Sequence, residues 1–155
     1  MKKFLIIAVF FASSFMTQAQ ELKWYTDVSE AAKIALDDKK PLLFFFTGSD
    51  WCGWCHKLQR DVFAKPEFIK WASKKVILVE LDFPKRTPQN EELRAQNQNM
   101  QQMFGVRGYP TIWLVQPVLQ EGKKVNLDAL GMLGYENNEK TWIEKANSFL
   151  AKIKK

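Results

Sequence analysis

Residues 42–56 read LLFFFTGSDWCGWCH, and this stretch decides the fold. Its first six residues, Leu42 to Thr47, form a continuous apolar run, which predicts a β-strand buried on both faces. The turn Gly48-Ser49-Asp50 follows and leads into a helical stretch that contains Cys52 and Cys55. The sequence therefore predicts two thiols three residues apart, at the start of a helix that follows a buried strand.

The segments on either side alternate between strand and helix patterns. Asp27 to Glu30 has the spacing of a helix capping box, Pro66 opens a further helix, and Gly105 ends a polar helix that begins near Pro88. The order of elements is β-α-β-α-β-α-β-β-α, which predicts an α/β fold with a mixed sheet flanked by helices on both faces. The other predicted strands are Leu22 to Tyr25, Val76 to Leu81, Thr111 to Val115 and the edge strand Val125 to Leu133, and the C-terminal helix buries Trp142, Ile143, Ala146, Phe149, Leu150 and Ile153.

Length and composition bound the class of protein. A chain of 155 residues allows one domain of ordinary size, and two cysteines are too few to staple a small fold. The net charge is +6, of which Lys2 and Lys3 supply two charges, and several of the other lysine pairs fall where predicted helices end. No stripe of basic and aromatic residues appears, so the sequence gives nucleic-acid binding little support.

The N-terminus has the pattern of a secretory signal peptide. Lys2 and Lys3 precede an apolar run from Phe4 to Phe15, which is shorter than the ~20 residues that span a bilayer. Thr17-Gln18-Ala19 places small residues where a signal peptidase cleaves. We expect residues 1–19 to be removed, leaving a domain of residues 20–155 in an exported protein. An uncleaved membrane anchor is the alternative.

The two cysteines have the spacing of a reversible disulfide. Residues three apart share a helix face, so the two sulfurs can bond with little backbone movement. Unsatisfied N–H groups at a helix start stabilise a thiolate, which makes Cys52 the candidate nucleophile and Cys55 the resolving thiol. His56 is four residues after Cys52 on the same face, where a protonated imidazole would lower the thiol pKa further.

Three other uses of this motif compete with redox chemistry. A structural disulfide would close too short a loop to stabilise much, and a zinc site lacks ligands, because the chain has no other Cys or His. The third is covalent c-type haem, whose attachment signature Cys52-Gly53-Trp54-Cys55-His56 matches. The sixth haem ligand would then come from Met100, Met103 or Met132. A haem-binding electron carrier therefore remains an alternative.

Two motifs resemble the thioredoxin family. Trp51-Cys52-Gly53-Trp54-Cys55 looks like the family's redox centre, and Gly105 to Thr111 looks like its cis-proline loop before a strand. The similarity extends from about Lys23 to Lys152. Thr47 to Asp50 and Val62 to Glu67 resemble a subgroup of exported bacterial proteins that includes DsbH and the C-terminal domain of DsbD.

The resemblance implies a thioredoxin fold and a thiol–disulfide oxidoreductase that acts as a reductase or isomerase. It implies a cis Pro110, a Tyr109 backbone that pairs with an extended substrate segment, and a groove completed by Gly134 beside Trp51 and Trp54. It implies no cofactor beyond the redox-active disulfide. Its expected partners are disulfide-containing exported proteins and a membrane electron donor such as a DsbD-like protein, in the periplasm or another exported location. A non-catalytic thioredoxin-fold binding protein is the other alternative.

Two departures from the family pattern bear on the mechanism. Thioredoxins usually carry a buried Asp on the strand before the active site, and no carboxylate stands between Leu42 and Thr47. Glu80, on the next strand, is the candidate replacement, with a solvated residue at the strand end as its alternative. The second departure is Gly53-Trp54 between the cysteines, where we expect Trp54 to tune the potential or contact a partner.

Overall fold

The structure is a computed structural model that describes residues 22–121 and 124–153. The predicted signal peptide, residues 1–19, lies outside the described residues and stays a prediction. Within the described ranges, none of the helices has the length and apolar character needed to cross a membrane.

A five-stranded mixed sheet forms the centre of the domain, as predicted. Its strand order is β1-β3-β2-β4-β5, so the apolar Leu42–Thr47 strand occupies the middle. β1 and β2 both pair with β3 in parallel, whereas β4 runs antiparallel to β2 and to β5. The strands are β1 (Trp24–Tyr25), β2 (Leu42–Thr47), β3 (Ile77–Asp82), β4 (Thr111–Leu119) and β5 (Val125–Leu133).

Five α-helices flank the sheet: α1 (Val28–Asp37), α2 (Gly53–Leu58), α3 (Pro66–Lys75), α4 (Glu91–Met103) and α5 (Glu139–Leu150). The Asp27 side chain accepts hydrogen bonds from the backbone N–H groups of Ser29 and Glu30, which caps α1 as the sequence predicts. Gly105 adopts a φ of 59°, a left-handed conformation that ends the α4 segment at little steric cost. A π-helical turn, Gln59–Phe63, extends α2 and was not predicted.

The side chains of β2 alternate between two hydrophobic clusters, one on each face of the sheet. Leu43 and Phe45 pack with residues of α2, α3 and α5. Leu42, Phe44 and Phe46 pack against α1 and against residues that follow α4. Because all six residues of β2 are buried, the predicted α/β arrangement with helices on both faces is confirmed.

The fourth strand is longer than predicted. Its expected end was Val115, but β4 continues to Leu119 and pairs with β5 along this extension. β2 pairs with β4 only up to Val115, so the far side of the extension has no neighbour in the sheet. Pro117, which has no N–H to donate, is tolerated there for this reason.

Candidate active site

The two cysteines form a disulfide at the beginning of α2. Cys52 is the N-cap residue of this helix, and its Sγ accepts a hydrogen bond of 3.2 Å from the Cys55 N–H. Cys52 keeps 5% of its surface exposed, whereas Cys55 is fully buried. The two sulfurs are therefore inequivalent, because only Cys52 combines contact with solvent and a position among the free N–H groups of a helix start.

Trp51 is fixed beside Cys52 by the turn that precedes it. The Cys52 N–H donates to the Gly48 carbonyl at 2.8 Å, which closes this turn. The Trp51 indole lies so close to Gly48 that a Cβ there would approach the ring to less than 3.0 Å. Trp51 Nε1 donates to the Phe83 carbonyl at 2.7 Å. Glycine at position 48 is thus required for the placement of Trp51.

The predicted proline loop packs against this tryptophan. The Tyr109–Pro110 peptide bond is cis, and both residues are partly buried. The Tyr109 ring lies 5.6 Å from the Trp51 ring and 5.3 Å from the Phe83 ring, measured between centroids. Its hydroxyl accepts a hydrogen bond of 2.7 Å from Gln101 Nε2, and burial raises the Tyr109 pKa. The structure therefore brings Trp51 and Tyr109 together.

Trp54 and Tyr135 form an aromatic surface on the other side of the helix start. Trp54 is 58% exposed, and its ring centroid lies 5.1 Å from that of Tyr135. Lys57 Nζ lies 5.0 Å from each of these two rings, and the Tyr135 hydroxyl donates to Asp61 at 2.9 Å. Gly134 directly precedes Tyr135 and is exposed. Tyr135 and Lys57 were not predicted: the spacing of three residues on α2 connects Lys57 to Trp54, but nothing in the sequence connects Tyr135 to it.

Two carboxylates tie the active-site turn to the loop after β3. Asp50 accepts three backbone hydrogen bonds of 2.7–3.0 Å, from Lys85, Arg86 and Thr87. These hydrogen bonds lower the pKa of Asp50 to about 2, and the one from the Lys85 backbone has the largest effect. In return, Asp82 accepts hydrogen bonds of 2.7 Å and 2.6 Å from the N–H and hydroxyl of Ser49. This connection was not predicted, since its partners lie 33–37 residues apart in the chain.

We expect Asp50→Asn to destabilise the protein at neutral pH and to lose this effect in acid. Because the folded-state pKa is depressed from 3.8 to about 2, the stabilisation is present above pH 3.8 and disappears as the pH falls through about 2. Urea unfolding at several pH values measures this difference. Asp37→Asn is the control, since the Asp37 carboxylate accepts no hydrogen bond within the described part of the chain. A difference independent of pH would contradict the prediction.

Glu80 lies within β3 and faces the cysteine side of the sheet. It stands opposite Phe45 in the register, and both Phe45 and Leu78 belong to the cluster that contains Cys52 and Cys55. Its side chain is partly buried, and desolvation, with a smaller contribution from the Asp82 charge, raises the Glu80 pKa. The alternative of a solvated residue at the strand end is therefore wrong.

His56 turns back toward the loop before the cysteines. Its Nε2 lies 2.7 Å from the Ser49 carbonyl, which can only accept, so this nitrogen donates. The side chain is exposed. Among residues 22–121 and 124–153, no group of three or more His, Cys, Asp or Glu side chains is arranged to hold a metal ion.

The Cys52–Cys55 disulfide lies between the central strand of a mixed sheet and a helix start, beside a cis-proline loop. This arrangement places the molecule in the thioredoxin-fold class. The chain belongs to the thioredoxin-like family, whose domain model matches residues 28–144. The family and fold predicted from Trp51 to Cys55 and from the Gly105 to Thr111 loop are confirmed.

Two curated relatives, one named a disulfide bond reductase and one a thioredoxin-related protein, are similar to the chain. The chain is 36% identical over 118 residues to the disulfide bond reductase DsbH of Chlamydia pneumoniae, a match that covers 76% of this chain and 66% of DsbH. It is 35% identical over 97 residues to the thioredoxin-related protein DsbJ of the same organism, covering 63% of this chain and 28% of DsbJ. The chain thus spans just under two thirds of the length of DsbH and much less of DsbJ.

Solved structures agree with the fold. A DsbH oxidoreductase superposes with a TM-score of 0.73 at 29% identity, covering 99% of this chain and 96% of that one. A thioredoxin from Thermus thermophilus gives a TM-score of 0.62 at 18% identity, covering 84% and 88% of the two chains, and supports the fold alone.

Proposed function

We propose that the protein is an exported thiol–disulfide oxidoreductase that reduces or isomerises disulfides of other exported proteins. The observation that carries this proposal is the inequivalence of the two sulfurs, with Cys52 at the helix start and Cys55 buried behind it. The similarity to DsbH, which is named a disulfide bond reductase, favours the reducing direction.

The proposed reaction begins from the reduced protein. The Cys52 thiolate attacks one sulfur of a substrate disulfide, forms a mixed disulfide and expels the other substrate sulfur as a thiolate, which takes up a proton. Cys55 then loses its proton and attacks Cys52 Sγ, which releases the second substrate thiolate and forms the Cys52–Cys55 disulfide. The substrate gains two electrons and the protein loses two.

Substrate binding is assigned to the surface around Cys52. The Tyr109 backbone would pair with an extended segment of the substrate, next to the cis Pro110. Gly134 leaves open space at its Cβ position, where no atom outside the glycine and its two chain neighbours lies within 4 Å. Trp51 and the exposed Trp54 supply apolar contacts between these two edges.

Electron flow in the reducing direction requires an electron donor for the protein. A reductase in an oxidising compartment ends each turnover with a disulfide, so a donor must return two electrons. We assign this role to a membrane protein of the DsbD kind, and we place the protein in the periplasm or a comparable exported location after cleavage near Ala19.

The reduction potential of the Cys52–Cys55 pair tests the proposal most directly. Equilibration with dithiothreitol or glutathione buffers is expected to give a value closer to the ~−270 mV of thioredoxin than to the ~−120 mV of DsbA. A value above about −150 mV would indicate an oxidase instead.

The haem alternative requires both sulfurs to form thioether bonds, whereas here they are bonded to each other. An absorbance band near ~410 nm in the purified protein would support haem.

We further propose that Glu80 accepts the Cys55 proton, and that Glu80→Gln slows turnover at neutral pH by about a hundredfold. Burial raises the Glu80 pKa, so ionised Glu80 destabilises the fold as the pH rises from 4.5 through its folded-state value. The variant lacks this penalty and should be at least as stable as the natural protein at neutral pH.

Insulin reduction rates and urea unfolding, each from about pH 6 to 9, separate the two effects. Glu144→Gln, at an exposed position on α5, is the matched control. Rates that stay unchanged over this range would remove Glu80 from the mechanism. A slow variant that is also unstable would indicate a structural role.

A further inference from the structure

Four lysines gather at one end of the molecule, around a cavity of about 570 Å³. Two of them follow α1 and two end α3. Pro41, Leu150 and Ile153 add apolar surface to the same cavity. We call this group the lysine patch: Lys39, Lys40, Lys74 and Lys75.

Two aspartates, Asp37 and Asp38, directly precede Lys39, so negative charge balances the lysine patch only in part. Lys40 Nζ lies 3.6 Å from Asp38 Oδ2 and donates a hydrogen bond to the Ser73 carbonyl. In the described ranges, 22–121 and 124–153, the other three lysines make no ion pair. The positive charges of the patch repel one another, and the negative C-terminal ends of α1 and α3 offset only part of this electrostatic repulsion.

Lys39 occupies a backbone position that does not favour lysine. Its φ is 53°, and it directly follows Asp38, the C-cap of α1. Glycine or asparagine is preferred at such left-handed positions, because a larger side chain is strained there. The Lys39 side chain is exposed. The positive charge of Lys39 therefore explains why a lysine stands at this position better than the backbone conformation does.

We propose that the lysine patch docks on an anionic lipid surface. Clusters of four or more lysines attract acidic phospholipid headgroups, and nearby apolar surface adds to the binding. Leu22 and Lys23 line a neighbouring cavity together with Lys40, so the chain enters the domain at the same end.

Docking at this end leaves the redox centre free. β2 and β3 are parallel and begin next to the lysine patch, whereas Cys52 follows the far end of β2. Six residues of extended strand span about 20 Å. A protein held by the lysine patch therefore presents Cys52 away from the lipid, and the inference does not depend on the proposed activity.

Co-sedimentation with vesicles tests the proposal on the full chain and its variants. We expect binding to vesicles of equal parts phosphatidylglycerol and phosphatidylcholine that weakens with salt, and much less binding to phosphatidylcholine alone. Lys74→Gln combined with Lys75→Gln should lower the partition coefficient by about tenfold or more. Every variant has the same N-terminus, so differences between variants report the patch. Disulfide reduction should be unaffected.

Lys33→Gln combined with Lys124→Gln removes the same charge from exposed positions outside the patch, and should change binding by less than about twofold. Equal losses in the two double variants would overturn the proposal in favour of net charge. Lys39→Gly should weaken binding while it unfolds at the same or a higher urea concentration. Equal binding to both vesicle types, or tighter binding to poly-glutamate than to anionic vesicles, would overturn the lipid assignment.

Discussion

A Cys52→Ser variant is expected to lose disulfide-reductase turnover by at least about a thousandfold, because a serine hydroxyl does not ionise at neutral pH and cannot form a disulfide. The expectation rests on geometry, since Cys52 at the helix start keeps 5% of its surface exposed and Cys55 has no exposed surface. Reduction of insulin by dithiothreitol, followed by turbidity, measures the loss.

Cys55→Ser is the matched variant that distinguishes the two thiols. It should also lose turnover, but it should accumulate a mixed disulfide between Cys52 and the substrate, because the resolving thiol is absent. Mass spectrometry under non-reducing conditions detects this adduct. An adduct that accumulates through Cys55 in the Cys52→Ser variant would reverse the assigned roles.

A Trp142→Ala variant is expected to lower the free energy of unfolding by about 3–5 kcal/mol. Trp142 is fully buried, and its ring centroid lies within 5.9 Å of those of Phe63, Phe68 and Trp71. Its indole N–H also donates to the Gly134 carbonyl at 3.3 Å, next to the proposed substrate groove. The substitution would therefore leave a cavity between α3, α5 and the π-helical turn. Urea unfolding of the oxidised protein measures the change.

Trp54→Ala is the control for this variant, because it removes an equally large side chain from an exposed position. Its free energy of unfolding should change by less than about 0.5 kcal/mol. The KM for a protein disulfide should rise instead, since Trp54 belongs to the proposed groove. A loss of stability as large as that of Trp142→Ala would show that the aromatic surface with Tyr135 supports the fold.

The fold could be predicted where burial leaves a simple pattern in the sequence. β2 was predicted to the residue, because a central strand buried on both faces must be apolar throughout. The beginning of α1 was visible in the Asp27 cap. The extension of β4 was not, since a strand that has only one neighbour tolerates proline and polar residues.

The site could be predicted only where its residues are neighbours in the chain. Cys52 and Cys55 stand out by spacing, and Glu80 was singled out only by comparison with the family pattern, whereas its side of the sheet follows from the register of β3. Asp50 and Asp82 connect segments that are distant in the chain and meet only in the folded protein. The sequence does not distinguish an aspartate that accepts such hydrogen bonds from one that is merely solvated. The same applies to Tyr135 beside Trp54, whereas Lys57 lies three residues after Trp54 on the same helix and could have been recognised by that spacing.

Asp50 binds the backbone N–H groups of residues 85–87, so the path of this loop beside the active site does not depend on the charges of its side chains. Asp50 holds three backbone N–H groups, and the side chains of Lys85, Arg86 and Thr87 are exposed. Any residue except proline supplies the same N–H group, so the side chains at positions 85 and 86 can change while the loop keeps its path, whereas the Thr87 side chain itself hydrogen-bonds Asp50. Lys85, whose Nζ lies 3.8 Å from the Trp51 ring centroid, can give way to a neutral or acidic residue on the same scaffold. Substitutions at positions 85 and 86 should thus change the charge beside Trp51 without rebuilding the redox centre.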